Sequence, residues 1–180
     1  MKALLVLDMQ KHILSQKNFM EEKNKIKNII KIFKNKEEKV LFTKHIEKEE
    51  GSPFNKNSDR SEIHEDFREY CDYIIEKTTP SAFFNTDLDY ILKKEKINEV
   101  VIVGFNTEFC CMFTAIAAFD RGYKVTFIED ATGTINNSEI YDMEGLDIKD
   151  LVGSVLSWSR CVDTLYYDEF ILNEEVIEEL

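Results

Sequence analysis

Proline and glycine are scarce in this chain, two and six among 180 residues. That scarcity excludes a collagen-like or Pro/Gly-rich disordered polymer, and no Pro/Gly/Ser-rich linker divides the chain. Long apolar runs are also missing. The longest, such as Val100–Phe105, falls far short of the ~20 residues a membrane-spanning helix requires. Positive charge is in deficit: 23 lysines and arginines face 35 aspartates and glutamates, for a net charge of −12. A surface that negative repels phosphate backbones, so neither nucleic acid nor an anionic membrane is an expected partner. The opening MKALLVLDMQ is no signal peptide, because its short apolar run ends in Asp8 without a small-residue cleavage site. Four cysteines without a spacing pattern then read as free thiols in a reducing cytoplasm.

What is present is ordinary for a globular protein: 43% hydrophobic and 32% charged residues, with thirteen phenylalanines. The length suits one domain spanning 1–180, with an acidic tail over 168–180. Short β-branched runs alternate with longer helical patterns. Residues 3–8 read as a strand covered on both faces, because they show no polar alternation. Ile26, Ile29, Ile30 and Phe33 recur at helical spacing. Strands follow at 39–44, 73–77, 100–105, 124–130 and within 161–167. A polar loop runs from His45 to Arg60, a short helix lies in SEIHEDFREY, and another helix starts near Ser81. Cys110 to Asp120 is apolar nearly all round and reads as a largely buried helix. This order predicts a three-layer α/β/α domain, with a doubly wound, Rossmann-like, mostly parallel sheet of about six strands.

In such sheets ligands bind beyond the carboxyl ends of the strands. Asp8 ends the first strand, Lys77 ends the third, and the loop after the fourth leads into Cys110. A thiol has an ordinary pKa of about 8.5 and needs help to attack a carbonyl. Here Asp8 would accept its proton as general base, Lys77 would supply positive charge, and a helix beginning at Cys110 would favour a thiolate. Backbone N–H groups around the Gly104–Cys110 turn would form an oxyanion hole. Each residue alone has an ordinary reading: a cap, a solvated strand end, a core cysteine. Their convergence on one rim is what points to chemistry.

These residues resemble the isochorismatase-like cysteine hydrolases, the superfamily of nicotinamidases, N-carbamoylsarcosine amidases and isochorismatases. ALLVLDMQ resembles the family's opening strand ending in D-x-Q. IIEKTTPSAFFNTDL is similar to its K-x-x-x-S-A-F-x-x-T-x-L segment, and VVIVGFNTEFCCMFTA to its G-x-x-T-x-x-C-V-x-x-T motif. AAFDRGYKVTFIEDAT resembles the A-x-x-x-G-Y-x-V-x-x-x-x-D-A stretch that follows. The resemblance implies Asp8, Lys77 and Cys110 as the catalytic residues, with Cys111 a small hydrophobe where the family usually has Val. It also implies a cis peptide at Phe105–Asn106 that aims the amides of Asn106 and Cys110 at a substrate oxygen.

The implied activity is hydrolysis of a C–N bond in a small amide or carbamoyl compound through a thioester. The alternatives are an isochorismatase-type vinyl-ether hydrolase and a non-catalytic member that binds a small ligand. Where the family often continues D-x-Q with N-D-F, this chain has Lys11-His12-Ile13, so Ile13 replaces the aromatic pocket wall. Ile13, Phe83 and Phe109 are the candidate substrate contacts, with Phe84 and Phe105 near the same rim. Nicotinamidases hold a metal through D-x-H after the second strand and a later His. His45, Glu47 and His64 are the only candidates for such a set; no metal or other cofactor is expected. The family also implies a homodimer or larger homo-oligomer.

Overall fold

The computed structural model describes residues 1–178, with side chains through Glu174, so the last two positions of the acidic tail lie outside the described residues. Its elements are β1 (Lys2–Leu7), α1 (Lys11–Leu14), α2 (Met20–Asn35), β2 (Lys39–His45), α3 (Glu65–Arg68) and β3 (Tyr73–Lys77). Then come α4 (Leu88–Lys94), β4 (Glu99–Phe105), α5 (Met112–Phe119), β5 (Lys124–Gly133), α6 (Ile148–Ser159), β6 (Asp163–Leu165) and α7 (Tyr167–Glu178). The six strands form one sheet in the order β3-β2-β1-β4-β5-β6, and every pairing is parallel. This is the doubly wound order, whose switch point lies between β1 and β4.

Both faces of the sheet are covered, which is why β1, β2 and β4 are apolar without alternation. Ala3, Leu5 and Leu7 face a core built with Leu88, Leu92, Cys111, Ala115, Val152 and Leu156. Leu4 and Val6 face the other core, with Ile26, Ile30, Phe33, Phe105 and Phe170. The helical spacing in α2 therefore does what the sequence predicts: Ile26, Ile29, Ile30 and Phe33 are all buried.

Two expectations change. The helix expected near Ser81 begins seven residues later, at Leu88. The Thr86 hydroxyl bonds the Ala82 carbonyl, the Ser81 hydroxyl accepts from the Phe83 amide, and Asn85 takes a φ of 53°. Such local side-chain bonds compete with a helix. The short helix expected in SEIHEDFREY is present as the four-residue α3, with His64 as its N-cap. Finally, the helix around Cys110 is not wrapped in protein. It opens with a π-helical turn, Thr107–Cys111, and α5 then buries Thr114, Ala115 and Ala118 while exposing Phe113, Ile116 and Phe119. An apolar sequence all round an element shows that no face prefers water, not that every face is covered.

Candidate active site

At the switch point the chain turns sharply. Asp8, the residue after β1, sits at φ 50°, a left-handed conformation that short polar residues tolerate best among non-glycines. Gly104 lies opposite Leu7 with φ +116°, and a Cβ there would stand 2.2 Å from the Leu7 carbonyl oxygen. Only glycine lets β4 run this close to β1. The close approach brings the turn after β4 over the end of β1.

Asp8, Lys77 and Cys110 meet there. Lys77 Nζ donates to Asp8 Oδ2 at 2.7 Å and lies 3.1 Å from Cys110 Sγ. It also bonds the Thr79 carbonyl at 3.3 Å. The Asp8 and Lys77 side chains are fully buried, while Cys110 is partly accessible. Thr43 in β2 completes the carboxylate's surroundings: its hydroxyl donates to Asp8 Oδ1 at 2.5 Å and accepts from the Asp8 amide at 3.1 Å. The sequence reading missed Thr43, because a threonine in a strand carries no chemical signal until the strands are paired.

The electrostatics differ from the sequence expectation. Burial, reinforced by the neighbouring Asp8 carboxylate, pushes the Cys110 thiol up to about 12, and the Lys77 charge does not offset it. The turn carrying Cys110 begins at Thr107, so the cysteine does not open the helix as expected. At rest the nucleophile candidate is therefore a thiol rather than a thiolate. Burial alone would lower the Lys77 ammonium, but Asp8 and Cys110 beside it outweigh burial and raise it. The resting site is a neutral thiol beside a buried ion pair. A neutral thiol has to give up its proton if its sulfur is to attack.

The other expected residues separate. The Phe105–Asn106 peptide is cis. The Asn106 side chain accepts from the Ile135 amide at 3.2 Å, tying the turn to the chain beyond β5. Glu108 does the same: its Oε1 accepts from Thr134, Asn136 and Tyr141 at 2.6–3.0 Å. Ile13 and Phe83, expected as pocket walls, are buried in the two cores. Ile13 lies in one with Met9, Phe19 and Phe105; Phe83 packs on Tyr123 in the other, under the Arg121 guanidinium. A β-branched or aromatic residue near a rim turns inward when its face of the element meets the core. Phe109 is exposed beside Cys110, and Phe84 is exposed.

A second wall went unnoticed in the sequence. His45 lies opposite Lys77 in the sheet register. Its ring meets Phe54 edge-on at 5.5 Å, and Phe54 meets His12 at 5.1 Å. His12 Nδ1 is 2.8 Å from the Arg60 guanidinium. Burial, and then the Lys77 charge, lower the His45 pKa, so the ring is neutral near neutrality. Gln10, the last residue of D-x-Q, fixes this wall. Its side chain accepts from the His45 amide and donates to the carbonyls of His45 and Ser61 at 2.6–3.0 Å. The one available signal was Gln10 itself, an amide side chain three residues after β1.

The candidate metal ligands do not assemble. His45 Nε2 is 3.7 Å from Glu47 Oε1, but Glu47 Oε2 takes the Ser52 hydroxyl, and His64 Nδ1 accepts from the Asp66 amide that starts α3. Among the described residues no three histidine, cysteine, aspartate or glutamate side chains are grouped to hold an ion. The residues present do not fit the nicotinamidase-type metal set.

A parallel α/β sheet with an acid, a cation and a thiol gathered at its switch point defines a class, the doubly wound α/β proteins whose sites lie beyond the strand ends. Comparison with known proteins narrows it. The isochorismatase domain model matches residues 2–160, so the chain belongs to the isochorismatase family of hydrolases. It is 34% identical over 148 residues to nicotinamidase 3 of Arabidopsis thaliana, covering 74% of each chain. The fold is that of a cysteine hydrolase from Pseudomonas syringae pv. phaseolicola, with a TM-score of 0.84 at 20% identity, over 97% of this chain and 92% of that one. A nicotinamidase from Staphylococcus aureus superposes with a TM-score of 0.72 at 22% identity, over 91% and 96%.

Proposed function

We propose that this protein hydrolyses the C–N bond of a small amide or carbamoyl compound through a thioester on Cys110. One observation carries the reading: a buried lysine bonds both a buried carboxylate and a partly accessible thiol. A ligand-binding relative would gain nothing from that arrangement, and burying charge without a task is costly. The identity to a plant nicotinamidase supports amide chemistry, while the unassembled metal set points away from a metal-held pyridine ring.

In the proposed course Cys110 Sγ attacks the carbonyl carbon as its proton passes to Asp8. Lys77 holds the carboxylate in place and balances the charge on sulfur. The amides of Asn106 and Cys110 receive the developing oxyanion. The C–N bond then breaks, Asp8 returns the proton to the departing nitrogen, and ammonia or an amine leaves. Asp8, ionised again, takes a proton from water as that water attacks the thioester. The C–S bond breaks, the acid is released, and the proton on Asp8 returns to Cys110.

The test is ammonia release from a panel of primary amides and carbamoyl compounds, with loss of isochorismate followed separately, for wild type and Cys110→Ala. Ammonia from one amide, abolished in the variant, is the expected result. Isochorismate turnover that survives Cys110→Ala would replace this reading with vinyl-ether hydrolysis centred on Asp8. The direct readout of the thioester is acyl-Cys110 trapped and identified by mass spectrometry.

A further inference from the structure

The turn that carries Cys110 is held from outside its own helix. Residues Thr107–Cys111 are π-helical, a rare form that occurs mostly as single turns. What steadies this one is the chain beyond β5. In the β4–β5 register Ile102 faces Phe127 while Gly104 faces Thr132, so β5 advances five residues as β4 advances two. Irregularities of this kind re-aim a strand and gather beside active sites. Here the shift carries Thr132 and the residues after it alongside the turn.

Three consecutive residues at the start of the turn bond that segment. Asn106 accepts from the Ile135 amide, and the Thr107 hydroxyl donates to Thr132. Glu108 makes the largest share. Its Oε1 accepts from the Thr134 hydroxyl, the Asn136 side-chain amide and the Tyr141 hydroxyl at 2.6–3.0 Å. The residue is 8% exposed, and its Oε2 is buried with no hydrogen-bond partner among the described residues. Burying a carboxylate costs free energy unless its surroundings compensate. Three donors on one oxygen supply that compensation, because charge-assisted hydrogen bonds are roughly twice as strong as neutral ones.

We propose that Glu108 is a positioning residue, whose carboxylate locks the turn so that the Cys110 sulfur and the amides of Asn106 and Cys110 stay aimed at one carbonyl group. The inference rests on the proposed amide hydrolysis. Glu108 acts through the backbone it shares with Cys110, two residues on, and through the segment from Thr134 to Tyr141. Oxyanion donors work by being in place before charge develops. A misplacement of about 1 Å costs on the order of 10²-fold in rate. Loss of the lock therefore falls on the chemical step more than on substrate binding.

The test uses the full chain and two readouts. Glu108→Ala removes the acceptor and is expected to lower kcat for ammonia release by roughly 10–100-fold, with KM little changed. Glu108→Gln restores an acceptor for the same donors and is expected to recover most of kcat. Tyr141→Phe deletes one donor; it is expected to lower kcat a few-fold alone and not at all in the Glu108→Ala background, since coupled residues are non-additive. Tyr73→Phe is the control. It deletes another tyrosine–glutamate bond, to Glu95 at 2.7 Å, at the end of β3 opposite Lys77, and is expected to leave kcat unchanged.

Hydrogen exchange, the second readout, needs no substrate. The amides of residues 106–111 are expected to exchange several-fold faster in Glu108→Ala than in wild type, and near the wild-type rate in Glu108→Gln. Should Glu108→Ala fail to fold, Tyr141→Phe and Asn136→Ala, which each remove a single donor, carry both readouts. Wild-type kcat in Glu108→Ala overturns the proposal, and so does a loss that Glu108→Gln does not recover. A fall in kcat matched by Tyr73→Phe also overturns it, because the fall then tracks stability. A wild type silent on every amide overturns the proposed function instead, and exchange at 106–111 then decides alone whether Glu108 holds the turn.

Discussion

Asp8 and Glu129 are both buried carboxylates, one just past the end of a strand and the other in the middle of one, and their surroundings are opposites. Asp8 follows β1 and is met by a cation, Lys77, and by the Thr43 hydroxyl. Glu129 lies in β5 and is met by a second acid, Asp150, and by the Tyr166 hydroxyl at 3.4 Å. Burial, with Asp150 adding to it, pushes the Glu129 carboxyl up to about 7. A buried carboxylate needs a counter-charge or a proton. At the rim the counter-charge is built in, which leaves the carboxylate free to take a proton from the adjacent thiol. At Glu129 no cation among the described residues is supplied, so a proton shared with Asp150 takes that place. The first arrangement suits chemistry; the second only stores a pH dependence.

The contrast can be broken at either end. The largest effect is expected at the rim: on the proposed thioester chemistry, Cys110→Ala removes the nucleophile and should lower ammonia release by about 10⁴-fold or more. Its melting temperature should barely move, because the ion pair survives. Lys77→Met should do the reverse to stability. It leaves Asp8 buried without its cation and is expected to cost about 3–5 kcal/mol, read by urea unfolding. Adding Asp8→Asn to that variant should restore part of the loss, which a simple packing defect would not do.

Smaller effects belong to Glu129. Gly153 of α6 lies against it, and a Cβ there would stand 1.7 Å from Glu129 Oε2. Gly153→Ala should cost about 1–3 kcal/mol through overpacking, measured the same way, with activity per folded molecule unchanged. The smallest effect is a pH slope. The folded Glu129 keeps a proton that the unfolded chain releases near 4.5, so wild-type stability should fall as pH rises from about 4.5 to about 7. Glu129→Gln cannot ionise and loses that slope. Discounted for solvent screening, the variant is expected to exceed wild type by about 1–2 kcal/mol at pH 8, with the gap closing toward pH 4.5. A gap of constant size at both pH values would mean that Glu129 is not the group responsible.

Elements were legible in the sequence where one periodicity dominated. The apolar runs of β1, β2 and β4 and the four buried positions of α2 fall where their patterns place them. The start of α4 was not legible, because Ser81, Thr86 and Asn85 satisfy local backbone groups in ways that composition does not announce. Of the site, the motif residues Asp8, Lys77 and Cys110 were visible because strand ends in a parallel sheet converge. Their partners were not. Thr43 meets Asp8 only once β2 pairs with β1, and Phe54, His12 and Arg60 gather beside His45 only once the His45–Arg60 loop has folded.

The sequence by itself determined the sheet, the order of its elements and the type of chemistry its rim can carry, because hydrophobic period and residue identity are local properties. The tertiary structure alone decided the protonation state of Cys110, the inward turn of Ile13 and Phe83, and the apolar face left open on α5 and α6. Burial and the position of neighbouring charge set each of these, and neither exists until segments distant in the chain have packed.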